Sequence, residues 1–155
     1  MVAALNEASP RRWALLPLRL IVGFGFMAHG VAKWSRGPEN FGKLLNQIGV
    51  PFPVPTAWMV TLLEVFGGLA IFVGILVALV SIPLISTMLV AMFTVHLRFG
   101  FSAVKTIGLT ASGPVLGPPG YEISLIYIAS LLALALLGPG PLSAGRWLSA
   151  LRSRK

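Results

Sequence analysis

Four apolar stretches, separated by polar or proline-rich segments, set the plan of the chain. The first runs from Ala14 to about Lys33 with only Arg19 and His29 inside it, close to the ~20 residues an α-helix needs to cross ~30 Å of hydrocarbon. From Ala57 to Leu97 the chain is apolar for 41 residues, broken only by Glu64 and His96. At ~1.5 Å per residue that is ~60 Å, or two crossings, so a tight helical hairpin is expected. Its turn is placed at Leu79-Val80-Ser81-Ile82, because Ser81 is able to cap a helix and Pro83 suits a first turn. The last stretch runs from about Tyr121 to Leu137 and stops at Gly138-Pro139-Gly140-Pro141.

The segments between them have their own patterns. Phe41, Leu44, Leu45 and Ile48 recur at helical spacing among Lys43, Asn46 and Gln47, which predicts an amphipathic helix on the membrane surface. Pro51, Pro53 and Pro55 then lead into the second crossing. Phe99 to Gly120, rich in Gly, Ser and Pro, reads as an irregular cap over the same end. The expected fold is all-α, an integral membrane four-helix bundle with an amphipathic interfacial segment in the first external loop. It forms one domain over 1–155, with crossings at about 14–33, 57–79, 82–97 and 121–137 and loops 34–56 and 98–120 on one face.

Composition strengthens the membrane assignment. Hydrophobic residues make up 56% of the 155 and charged residues 10%, too few to clothe a soluble domain. The net charge of +8 raises the question of nucleic acid, but the cations sit at the ends of apolar runs, where they meet lipid headgroups. Lipid is therefore the expected partner, and nucleic acid is not. With no cysteine, disulfides, Cys-ligated metal centres and thiol catalysis are excluded. Met1 to Pro10 lacks the apolar region of a signal peptide, so the first helix is expected to remain in place.

An even number of crossings puts both termini on one side. That side carries Arg11, Arg12, Arg146, Arg152, Arg154 and Lys155, with Arg19 snorkelling toward it; the other carries Lys33, Arg36, Lys43, Arg98 and Lys105. The bias favours cytoplasmic termini. The same folding gathers His29, Lys33, Glu64, His96, Arg98 and Glu122 at the opposite end, so that both histidines and three of the four acids, Glu39 included, lie there. A repeat-like echo, His then cation then Glu, occurs twice, but its spacings differ.

Each of these residues has a structural reading beside a chemical one. His29 and Lys33 are four apart on the stripe of Arg19 and Phe26, with Gly23 and Gly30 beside it, and they either mark a helix end or face a site. Glu64 lies about 10 Å below the start of its helix, where an ionisable group costs ~2.5 to 3.5 kcal/mol unless paired or protonated. It either staples the bundle by pairing with Lys33 or Arg98, or works as an acid. His96 and Glu122 suit a helix terminus and a helix start. Glu64 and His29 are the candidate catalytic groups, and Lys33, His96, Arg98 and Glu122 the candidate binding groups. No phosphate loop, zinc motif, nucleophile elbow or Asp is present, so no metal site is expected; two histidines are too slender a basis for haem.

The ordered set Arg19, Gly23, Phe26, His29-Gly30, Lys33, Phe41, Gly49-Val50-Pro51, Pro53, Glu64, Gly67-Gly68, Gly74, His96, Gly100-Phe101, Glu122, Gly138-Pro139-Gly140 and Leu142-Ser143 resembles the DoxX family of small bacterial membrane proteins. The likeness covers about Leu15 to Ser143. It departs at the end, where Ala144 and Gly145 stand in the region of the family's usual Asp. The resemblance implies a four-helix inner-membrane protein associated with oxidoreductase systems, among them thiosulfate:quinone oxidoreductase and quinol oxidase subunits.

Two functions fit. A quinone-interacting subunit needs hydrogen-bonding groups for the ring oxygens and a proton exit near the headgroups, for which His29 and Glu64 have the chemistry and depth, with the electrons handled by a protein partner. The alternative is a non-catalytic membrane anchor or assembly partner for a soluble oxidoreductase. Transport would need a polar path, and between the levels of Glu64 and Arg19 the helices offer little beyond Gly, Ser and Thr. The charge bias predicts that single cysteines at Asn46 and Ser153 label from opposite sides of intact membranes, Ser153 from the cytoplasm. Labelling of the Ser153 variant from outside would reverse the orientation.

Overall fold

A computed structural model describing residues 10 to 145 forms each apolar stretch into a helix. After a single turn at Pro10–Trp13, α1 spans Leu15–Arg36 and α2 Pro38–Gln47. Helix α3 covers Pro53–Val73, with a π-helical turn at Leu63–Gly67. Helix α4 covers Val77–Phe99 and ends in a π turn, Met92–His96, and a 3₁₀ turn, Leu97–Phe99. Strands β1 (Thr106–Thr110) and β2 (Gly113–Leu116) follow, then α5 (Glu122–Leu137). The cations Arg146, Arg152, Arg154 and Lys155 and the labelling position Ser153 lie outside the described residues, as do Glu7 and the side chain of Arg11.

Helices α1, α3 and α4 are long and apolar enough to span a membrane; α5, at 16 residues or ~24 Å, is shorter. Their outer faces are as apolar as their inner ones. Ile21, Phe24, Phe66, Leu79, Ile82, Phe93 and Leu136 are exposed around the bundle, the pattern of helices solvated by lipid. Inside, Leu15, Val22, Phe26, Ile71, Val77, Leu84, Leu131 and Leu134 form one core, with Tyr127 edge-on to Phe26 at 5.1 Å between ring centroids.

Small residues set the crossing of α1 with α3. A Cβ on Gly23 would lie 2.6 Å from the Phe72 backbone nitrogen, one on Gly68 2.7 Å from that of Met27, and one on Gly30 2.7 Å from that of Val65. Backbone therefore meets backbone along this seam, the packing that small residues permit between helices in lipid. α4 packs chiefly on α5, and α2 lies on the start of α3, with Gly42 against Val54.

The turn of the hairpin falls at Gly74–Leu76, not at Leu79–Ile82. Gly74 holds φ +79°, a conformation open to glycine, and its N–H closes on the carbonyls of Ala70 and Ile71, ending α3 as a left-handed C-cap. Ser81 then lies within α4, donating to the Val77 carbonyl at 2.8 Å. Pro83 is also interior. It has no N–H for the Leu79 carbonyl, a defect that membrane helices tolerate where neighbours re-satisfy the backbone. Gly74 is thus a turn residue.

Two further expectations change. Phe99 to Gly120 is not irregular throughout: β1 and β2 pair antiparallel, with Leu109 opposite Pro114 and a register shift between Thr106 and Gly108. The chain is therefore mostly, not wholly, helical. Arg19 does not snorkel. It is 2% exposed, and its guanidinium donates to the carbonyls of Pro139 at 2.8 Å, Leu142 at 3.1 Å and Pro141 at 3.4 Å. These carbonyls follow the end of α5, where backbone acceptors have no intrahelical partners and the helix dipole is negative. Gly145 completes this end, its N–H reaching the Gly74 carbonyl at 3.3 Å.

A side chain at Gly74 would meet Arg19 and Ser143, each 2.6 Å from where its Cβ would stand, whereas one at Gly108 meets nothing within 4 Å. Gly74→Leu is expected to cost about 3 kcal/mol or more from backbone strain and overpacking. Gly108→Leu should stay within about 0.5 kcal/mol of the parent. Thermal unfolding in detergent compares the two, and equal losses would contradict the turn.

Candidate functional site

Lys33 lies one turn from the end of α1 and Glu64 in the first turn of the π segment of α3, on the faces that the glycine seam presses together. Gly30 is the residue that admits Glu64, since a Cβ there would stand 3.0 Å from the Glu64 Cβ. The Lys33 ammonium contacts Glu64 Oε2, the one ion pair among the described residues. The Glu64 side chain is 3% exposed and that of Lys33 25%, so the acid is sealed and the base keeps a route outward. The ring of Phe41, on α2, lies beneath the ammonium at 4.9 Å from its centroid.

Above the pair sits an aromatic layer. Trp34 and Trp58 meet edge to face at 5.9 Å, and the Trp58 indole N–H donates to Glu39 at 3.2 Å. Rings of this amphipathic kind mark the level where hydrocarbon gives way to headgroups. Glu64 lies six residues beyond Trp58, ~9 Å deeper along the helix, where leaving a charge unpaired is costly.

The remaining candidates fall elsewhere at this end of the chain path. His96 closes the π turn of α4 and meets the Pro119 carbonyl through Nδ1 at 3.1 Å, which places the proton on Nδ1. Glu122 begins α5 and accepts the Ala103 N–H at 2.8 Å, while its own N–H reaches the Phe101 carbonyl at 3.0 Å. These two residues thus fasten the loop before and after the β-hairpin. Arg98 is exposed and stacks on Phe99, 4.7 Å from the ring centroid.

His29 stands apart from the pair. Arg19 and Phe26 are buried and Lys33 is half-buried, whereas His29, four residues before Lys33, is exposed on the flank of that stripe. No hydrogen bond or ion pair among the described residues joins Lys33–Glu64 to His96, Arg98 or Glu122. The six residues therefore divide into a buried pair, a loop clasp and two exposed groups.

Phe41, Trp34 and Trp58 escaped the sequence reading as site residues. Their signal was present as aromatics flanking the ends of apolar runs, but which ring covers which cation depends on the angle between α1 and α2. An open apolar groove of about 420 Å³ adjoins the same π turn on its α4 side, lined by Leu63, Phe66, Gly67, Val80 and Pro83. No group of three or more metal-ligating side chains occurs among the described residues.

Lys33→Met strands a buried carboxylate and is expected to destabilise the protein by about 3 kcal/mol or more, whereas Lys33→Met with Glu64→Met should come within about 1 kcal/mol of the parent. Unfolding in detergent, run as a double-mutant cycle, measures the coupling. Additive losses would show that the pair does not interact.

With this geometry in place, comparison with known proteins adds three findings. The DoxX family model matches residues 14–97. An uncharacterized protein of Haemophilus influenzae is 28% identical over 135 residues, covering 84% of this chain and 80% of its own length. A Bacillus subtilis protein named "Putative oxidoreductase CatD" is 31% identical over 86 residues, 56% of this chain and 62% of its own length. No solved structure matches.

Proposed function

The chain belongs to the DoxX family, and we propose that it is a redox-associated subunit of the cell inner (plasma) membrane that meets a quinone at the Lys33–Glu64 end of the bundle. In this reading α5 is the fourth crossing, its 16 residues accommodated by local thinning of the bilayer. Both termini are cytoplasmic, and α2 lies in the opposite interface. The name borne by the Bacillus subtilis relative supports the redox association.

The observation that carries the proposal is the sealed Glu64 with a partly exposed Lys33 on its outer side. A quinone ring arriving from lipid needs a donor for its oxygen, and the ammonium is the first such group it would meet below the Trp34–Trp58 layer. Quinol oxidation must release two protons with two electrons. In this reading Glu64 Oε2 holds a proton once the ammonium turns to the ring, and His29, exposed one turn before Lys33 on α1, passes protons toward the headgroups. The apolar groove beside Leu63 and Phe66 suits the lipid-soluble part of such a molecule. His96 and Glu122 hold the base of the loop between α4 and α5, and Arg98 offers a guanidinium to an acidic substrate or partner. The electrons pass to a protein partner.

The second reading, a non-catalytic anchor or assembly partner for a soluble oxidoreductase, is favoured by one feature: Glu64 is already satisfied by Lys33 within the chain. Glu64→Gln separates the readings, because it keeps shape and hydrogen bonding but removes the ionisable proton. The quinone reading predicts folded, inserted protein that no longer binds quinone normally and whose quinone-coupled activity falls about a hundred-fold or more, as expected for loss of a general acid–base. His29→Ala should also impair quinone-coupled activity. Quinone titration of the purified parent and both variants, with an absorption spectrum to test for haem, is the measurement. A parent that binds no quinone, with Glu64→Gln still supporting its partner, establishes the anchor.

A further inference from the structure

The β-hairpin rises from the same end as the Lys33–Glu64 pair, and most of its apolar side chains are exposed. Val104 is 71% exposed, Ile107 61%, Leu109 82% and Leu116 60%. Paired residues of antiparallel strands project to one side, so Leu109 and Pro114 share a face, and Leu116, two residues along β2, shares it too. A lone two-stranded hairpin is marginal in water and needs an apolar surface against one face.

Its base is well secured. Gly120 N–H reaches the Ser102 carbonyl at 2.9 Å, Tyr121 N–H the Gly100 carbonyl at 3.1 Å, and the Lys105 ammonium the Phe99 carbonyl at 2.8 Å. With the His96 and Glu122 contacts, these bonds hold the base against the bundle end. Phe99, Phe101 and Tyr121 ring it, the last two edge to face at 5.5 Å. They extend around the bundle the aromatic level that Trp34 and Trp58 mark on the other side.

We propose that the hairpin lies on the lipid leaflet around the bundle, with the Leu109–Pro114–Leu116 face set among the headgroups and the first acyl carbons. Three features favour lipid as the occupant. From Phe99 to Tyr121 there is no acid and a single cation, Lys105, next to Arg98, so nothing repels lipid phosphate. From Val104 to Pro119 there is no Trp, Tyr or Arg, the residues that anchor protein interfaces, and the apolar side chains are aliphatic. The hairpin also connects α4 to α5, two helices whose own apolar side chains are exposed around the bundle. Its depth is limited by its backbone. Two strands leave two open edges, whose N–H and C=O groups require water or headgroup partners, so the hairpin stays above the hydrocarbon core.

The chain contains no cysteine, so Leu109→Cys and Thr110→Cys each supply a unique labelling point on the exposed hairpin. Each variant, carrying an environment-sensitive fluorophore, is reconstituted in vesicles of phosphatidylcholine and phosphatidylglycerol containing nitroxides at the headgroup or deep on the acyl chain. The expected result at position 109 is blue-shifted emission, quenched more by the headgroup nitroxide than by the deep one. At position 110, on the opposite face, quenching should be weaker. Water-like, unquenched emission at 109 overturns the proposal, and so does a blue shift without quenching, which would mean that a protein covers the face. Stronger quenching by the deep nitroxide overturns the interfacial depth, and equal quenching at both positions overturns the assignment of the face. None of these outcomes depends on whether the protein binds quinone.

Discussion

The approach of α1 to α3 without intervening side chains is the constraint on which the site depends. Gly23, Gly30 and Gly68 remove the Cβ atoms that would hold the two backbones apart. In lipid, helices gain little from burying apolar surface against each other, so close packing and internal polar contacts must hold them together. The seam supplies both, because the glycine that admits Val65 and Glu64 also brings the Glu64 carboxylate within reach of Lys33. An alanine at position 30 would push α3 outward at the level of the ion pair.

The two ends of the bundle solve the problem of a buried cation differently. At one end Arg19 presents a planar fork to three carbonyls of the segment that follows α5, near the negative end of that helix's dipole. At the other, Lys33 has a full carboxylate and an aromatic ring. The first arrangement is solvated by backbone carbonyls that cannot titrate, which suits a structural clamp. The second contains two groups that can exchange protons, and this difference is why the Lys33 end is the candidate site.

Wide helical turns accompany the ionisable groups in the middle of the chain. Glu64 lies in the π turn of α3 and His96 closes that of α4. Such turns depart from the regular hydrogen-bond ladder and recur where polar side chains serve a function. Neither has a sequence signature here, since Leu63–Gly67 and Met92–His96 read as ordinary apolar helix. The register that brings Glu64 to Lys33 and sets His96 against Pro119 follows from packing between helices.

Apolar run length and the scarcity of charge were enough to read the helices, their order and the membrane environment from the sequence, because a chain in lipid must bury its backbone polar groups within each helix. Glu64 was legible as a buried acid for the same reason: an ionisable residue inside an apolar run has few places to go. The turn was misplaced because Ser81 and Pro83 are breakers in water, while within α4 a side-chain bond to Val77 and packing absorb them, and the positive φ of Gly74 ends α3 earlier. The β-hairpin was missed because Gly and Pro hide the short strand pattern of Thr106 to Leu116. Composition and periodicity thus determined what kind of protein this is and at which end its acids lie. Only the tertiary structure decided that Lys33 is the partner of Glu64, that His29 faces outward and that Arg19 serves the far end, since those pairings depend on where helices cross.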